Sequence, residues 1–137
     1  IIREFTTIHL PTNETEITFI GNDNYFMCYS HISHDCTIEN NITIAVGVVL
    51  NGLVRVMNGA YLGASVAVHQ HQTIGSYSIV GMNSTVTKRN EILPGGKYAG
   101  SPAKYIGINH IALDKFNISK EDLDSELTRY RNIIYSY

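Results

Sequence analysis

The sequence has little of what marks several common protein classes. No run of like charge occurs, and 10 Lys+Arg stand against 12 Asp+Glu, so the basic stripe that a phosphodiester backbone requires is missing. Nucleic acid is not an expected partner. No apolar stretch approaches the roughly 20 residues of a membrane helix, and the start Ile1-Ile2-Arg3-Glu4 has no basic region followed by an apolar run. A cytoplasmic chain with no membrane span is expected. The two cysteines, Cys28 and Cys36, form neither a Cys-x-x-Cys pair nor a zinc-type spacing, which suits a reducing compartment. An initiator Met is also absent, and the chain opens on an apolar, strand-like segment, so a fragment of a longer protein is expected.

What is present is an ordinary globular balance, 44% hydrophobic and 16% charged, laid out on a short period. Stepping by six from Ile20 meets Phe26, Ile32, Ile38, Ile44, Leu50, Val56, Leu62, Val68, Ile74, Val80, Val86 and Ile92 without exception. Two places before these lie small or apolar residues such as Cys36, Ile42, Val48, Val54, Ala60 and Val66. Each six-residue unit therefore sends two side chains inward at strand alternation. Antiparallel hairpins would not share one strict period over so many steps. The pattern predicts a parallel β-helix, all-β, with three short sides per coil and about four coils from Ile20 to Ile92. Residues 18 apart then stack at about 4.8 Å, the interstrand spacing. Gly and Asn gather at the remaining places, as in Asn40-Asn41, Asn51-Gly52 and Asn58-Gly59, where corners call for positive φ.

The phase breaks twice. Ile8-His9-Leu10 reads as another side, but Glu14 fails the six-residue step, and a looped-out segment is expected there. After Ile92, Pro94-Gly95-Gly96 and Gly100-Ser101-Pro102 end the pattern. Ser119 and Asp122 then make a capping-box signal ahead of Leu123, Leu127, Tyr130 and Ile134, one face of a helix. The division expected is a β-helix over residues 1–107 and a short C-terminal helical segment over residues 108–137, the helix packing on the coil end or on a neighbouring subunit.

Candidate chemistry lies in His31-Ile32-Ser33-His34-Asp35, two histidines and a carboxylate on one side of the helix. Ile32 points inward, so His31 and Ser33 point outward, and His34 and Asp35 fall at the next corner. Histidine is the natural general base near neutral pH. The 18-residue register puts His34 beneath Gly52, which lies beneath Gln70, beside His69. A glycine over a base leaves space and an accessible backbone N–H, as an oxyanion hole requires. Corner glycine and surface histidines remain a competing reading. So does metal binding by His31, His34, His69 and His71, although no spacing here selects a metal and none is expected.

The stretches Ile2-Arg3-Glu4, Thr7-Ile8-His9, His31-Ile32-Ser33-His34-Asp35-Cys36 and Ala67-Val68-His69-Gln70 closely resemble the UDP-N-acetylglucosamine O-acyltransferases of lipid A biosynthesis, over nearly the whole chain. The resemblance implies a left-handed β-helix, a homotrimer with active sites between subunits, and transfer of a 3-hydroxyacyl group from acyl carrier protein to the sugar of a UDP-sugar. Catalysis would need no bound cofactor, only an acyl thioester donor. Carried over by position, His34 would be the general base, Asp35 its orienting partner and the Gly52 N–H the oxyanion donor. His31, His69 and Gln70 would line the donor and sugar-nucleotide groove, Asn109 would contact the donor arm, and Met82 would close the far end of the acyl groove, where a glycine would leave room for a longer chain.

Several residues depart from that pattern. Leu53 stands where the family has a further active-site histidine, and Lys115 replaces an arginine expected near the nucleotide phosphates, keeping charge but not the bidentate fork. Ala99-Gly100-Ser101-Pro102-Ala103-Lys104 looks more like the closing motif of acetyl-CoA-dependent hexapeptide acetyltransferases. An acetyl-CoA-dependent sugar acetyltransferase and a non-catalytic assembly module are therefore the alternatives.

Overall fold

A computed structural model describes residues 1–136. The six-residue units become two-residue strands at regular intervals, which wind into a left-handed parallel β-helix of about four turns. Three sheets form the walls. The first holds Thr7–Ile8, His31–Ile32, Val49–Leu50, Ala67–Val68 and Thr85–Val86; the second holds Phe19–Ile20, Thr37–Ile38, Arg55–Val56 and Thr73–Ile74. The third holds Tyr25–Phe26, Thr43–Ile44, Tyr61–Leu62, Ile79–Val80, Gly96–Ala99 and, antiparallel at its edge, Lys104–Ile108.

Strand partners such as His31 and Val49, or Thr37 and Arg55, are one 18-residue turn apart, as the period requires. In the first coil Thr7 pairs with His31 instead, a step of 24. Six extra residues therefore leave the wall between Ile8 and Phe19, the looped-out segment signalled by Glu14.

Inward positions from Phe26 to Ile92 have no solvent exposure at the six-residue step. Each such side chain contributes about 1.5–3 kcal/mol through burial. Many corners use the left-handed backbone conformation, including Asp35, Leu53 and His71 at one prism edge (φ 60°, 62° and 64°). Asp tolerates that region better than Leu does.

The tail differs from the simple stop that the sequence suggests. Rather than leaving the wall after Ile92, the chain adds two further strands to the third sheet, joined by a turn over the Gly100-Ser101-Pro102 segment. Then come α1 (His110–Lys115) and α2 (Lys120–Tyr135). The capping box is present: Ser119 Oγ accepts from Asp122 N at 3.0 Å, and Ser119 N donates to Asp122 Oδ2 at 3.0 Å.

Helix α2 lies against the second wall of its own chain. Arg129 donates to both oxygens of Glu39 at 2.7 and 2.8 Å. Tyr130 is buried over Thr73, and Ser76 bonds to Glu126. With the second wall covered in this way, the edge between the first and second walls remains open.

Candidate active site

That edge is where the chain turns from His31–Ile32 toward Thr37–Ile38, and it carries His34 and Asp35. Asp35 is 8% exposed and fully engaged. Its Oδ1 accepts from Thr12 N at 3.1 Å, its Oδ2 accepts from Thr12 Oγ1 at 2.9 Å and from His34 Nδ1 at 2.8 Å. Its own N–H donates to Thr18 Oγ1 at 2.9 Å. Burial pushes this carboxyl's pKa upward, but the bonds from His34 and Thr12 outweigh it and hold the pKa below its ordinary value. An ionised Asp35 accepts only, so Nδ1 of His34 carries the proton and Nε2 presents its lone pair.

Nε2 has no hydrogen-bond partner among the described residues, and the ring is 41% exposed. Gly52 lies directly against it. A Cβ on Gly52 would sit 2.5 Å from Cε1 and 2.6 Å from Nε2 of His34; no real Cβ approaches so closely, so only glycine admits the ring. The Gly52 carbonyl accepts from His71 N at 3.1 Å, whereas its N–H donates to nothing among the described residues. An unpaired base nitrogen and an unpaired N–H thus share one corner. Proton abstraction beside a developing oxyanion needs this pairing of groups.

A profile of the bacterial transferase hexapeptide family, six repeats, matches residues 17–52, the stretch that ends on Gly52. Residues 17–52 thus carry hexapeptide repeats of the bacterial transferase type. It is 32% identical over 134 residues to the acyl-[acyl-carrier-protein]–UDP-N-acetylglucosamine O-acyltransferase of Gloeothece citriformis, covering 98% of this chain and 48% of that one. To the enzyme of the same name from a Janthinobacterium it is 36% identical over 136 residues, covering 98% and 51%. The crystal structure of the Arabidopsis UDP-N-acetylglucosamine acyltransferase superposes with a TM-score of 0.82 at 31% identity, over 95% of this chain and 44% of that one. The chain spans about half the length of the curated relatives it matches.

The other candidate residues are spread over two edges and two walls. His31 stands on the first wall one turn below Val49, with Nδ1 2.6 Å from Thr7 Oγ1 and Nε2 3.0 Å from Ser33 Oγ. Burial, and then the neighbouring His9, lower its pKa. Both ring nitrogens are occupied, so His31 is placed to line a groove rather than to take a proton. His69 is exposed on the same wall, donating Nδ1–H to the Gln70 carbonyl at 2.9 Å, and Gln70 is exposed at the corner above Gly52.

Met82 lies at the edge between the third and first walls and is 69% exposed. Asn109 is buried: it N-caps α1 by accepting from Ala112 N, and its Nδ2 donates to Tyr77 O at 2.9 Å. Lys115 is exposed at the end of α1, its Nζ 5.1 Å from the Phe116 ring centroid. With Asn109 it borders a cavity of about 220 Å³ between α1 and the third wall. His34 and Met82 do not line that cavity. No cluster of three metal-ligating side chains occurs among the described residues.

Thr12 and Thr18, which fix Asp35, escape sequence reading. Both lie in or beside the looped-out segment, where the six-residue phase has no predictive hold.

Proposed function

We propose that this chain carries the base and thioester-binding edge of an acyltransferase. The reaction moves a 3-hydroxyacyl group from acyl carrier protein to a sugar hydroxyl of UDP-N-acetylglucosamine, the first step of lipid A biosynthesis, in the cytoplasm. The observation that carries this reading is the His34 ring pressed on Gly52 with Asp35 behind it. The names of the relatives, at 32 and 36% identity, supply the substrate class and favour a carrier-protein thioester over acetyl-CoA.

His34 Nε2 accepts the proton of the sugar hydroxyl as its oxygen attacks the thioester carbonyl. The negative charge that forms on the carbonyl oxygen takes the Gly52 N–H, a donor not already committed elsewhere. Asp35, held ionised by Thr12 and His34, keeps Nδ1 protonated and stabilises the imidazolium. Collapse of the intermediate breaks the carbon–sulfur bond, and the departing thiolate recovers the proton from Nε2.

A homotrimer belongs to this reading. His34 lies on one prism edge, Met82 on another, and Asn109 and Lys115 on the third wall; a groove between copies would draw on more than one of these surfaces. His31, His69 and Gln70 would line it.

The experiment is His34→Ala assayed by release of carrier thiol. A positioned base contributes about 10²–10⁴-fold, so turnover should fall by at least about a hundredfold with folding retained. Near-normal turnover would remove His34 from the mechanism.

A further inference from the structure

Asp35 is held chiefly from outside its own wall. Of the four hydrogen bonds at its carboxylate and N–H, one comes from His34 and three come from the segment that leaves the coil between Ile8 and Phe19. Thr12 alone reaches both carboxylate oxygens, its N–H donating to Oδ1 at 3.1 Å and its hydroxyl to Oδ2 at 2.9 Å. Oδ2 is also the oxygen that accepts from His34 Nδ1 at 2.8 Å. The last torsion of an aspartate has broad, roughly two-fold wells, so no rotamer preference sets the carboxylate plane; the two Thr12 donors do. The segment is shaped for this contact rather than for burial. Its Leu10 and Ile17 are 85% and 69% exposed, so it adds little to the core. Immediately after Thr12, Asn13 Oδ1 accepts from Thr15 N at 2.9 Å and from Thr15 Oγ1 at 2.6 Å, an Asx turn that reverses the chain. At the far end Thr18 Oγ1 accepts the Asp35 N–H at 2.9 Å.

We propose that Thr12 is a positioning residue for acyl transfer: by fixing both oxygens of Asp35 it sets the plane in which His34 is held, and so the direction in which Nε2 meets the attacking hydroxyl. The inference rests on the reading of His34 as the base. With the Thr12 hydroxyl removed, the carboxylate is free to turn about its last torsion, and the His34 ring, bonded to one of its oxygens and 41% exposed, turns with it. A base misplaced by about 1 Å costs roughly a hundredfold in rate; loss of one of the two Thr12 donors costs less, about tenfold, and falls on turnover rather than on binding. The segment that interrupts the six-residue period is on this account part of the catalytic apparatus, acting through Asp35 rather than on the substrate.

The test is carrier-thiol release by three variants: Thr12→Val, which loses the hydroxyl but keeps the N–H; Thr12→Ser, which keeps both donors; and Glu14→Gln, a change elsewhere in the same exposed segment. In Thr12→Val kcat should fall at least about tenfold with each KM within about twofold, while Thr12→Ser and Glu14→Gln should stay within about twofold of wild type. Thr12 is exposed, so the valine variant should keep its circular dichroism. Thr12→Val is then repeated in His34→Ala, where a residue that acts through His34 has nothing left to position and should cost nothing further. Wild-type kcat in Thr12→Val, a loss that serine fails to restore, or an equal fold-loss in the His34→Ala background would overturn the proposal. A strongly impaired His34→Ala beside a fully active Thr12→Val would leave the base standing and remove Thr12 alone; near-normal turnover of His34→Ala would remove both.

Discussion

Gly52→Ala isolates the contact on which the catalytic reading depends. The Gly52 φ lies outside the left-handed region, so alanine meets no backbone strain, and the change should act through its methyl group alone. That methyl would lie 2.5 Å from His34 Cε1 and 2.6 Å from Nε2. Restoring ordinary van der Waals contact moves the imidazole by roughly 1 Å, a displacement that can cost about a hundredfold in rate, and the bond to Asp35 Oδ2 at 2.8 Å cannot survive it unchanged. The ring is 41% exposed and can swing into water. Removing glycine's freedom from the unfolded chain contributes about 0.4–1 kcal/mol in compensation, so the melting temperature should move by only a few degrees.

The expected outcome is a fall of at least about a hundredfold in kcat/KM for carrier-thiol release, with a native melting curve. Gly81→Ala provides the control, since its methyl would meet nothing closer than 3.5 Å; its activity should stay within roughly twofold. A Gly52→Ala protein as active as Gly81→Ala would refute the proposed geometry.

Light scattering at micromolar concentration should report three copies; a monomeric mass would defeat the intersubunit groove. Met82→Gly should extend the accepted acyl chain, each further buried methylene contributing about 0.8 kcal/mol, and an unchanged chain-length profile would leave Met82 as surface packing. Burial raises the pKa of Glu39, but Arg129 and the Asn58 N–H lower it further, to a net value below the ordinary one. A depressed carboxylate stabilises the fold above its unfolded pKa of about 4.3 and loses that contribution as pH falls through the folded value. Wild type should therefore lose stability over Glu39→Gln below about pH 4, and parallel acid-unfolding curves would show that the Arg129–Glu39 clamp contributes nothing. Arg129→Ala should cost about 1–3 kcal/mol in denaturant unfolding, discounted because its side chain is 37% exposed.

The sequence by itself determined the coil. A side chain every six residues from Ile20 to Ile92 can be buried only if three short strands close a turn, and that turn length aligns His34 with Gly52 before any coordinates exist. The family resemblance and the capping box of α2 were equally legible, because both reside in contiguous residues. Tertiary structure decided what depends on contacts across breaks in the period. Thr12 reaches Asp35 from a segment that leaves the wall, and Gly96–Ala99 with Lys104–Ile108 extends the third sheet beyond the last repeat. Arg129 meets Glu39 across 90 residues only because α2 folds back over the second wall. A period fixes which residues stack, since every turn repeats the same geometry; it carries no information about an insertion, a hairpin or a helix, whose positions are set by which exposed surface each of them can bury.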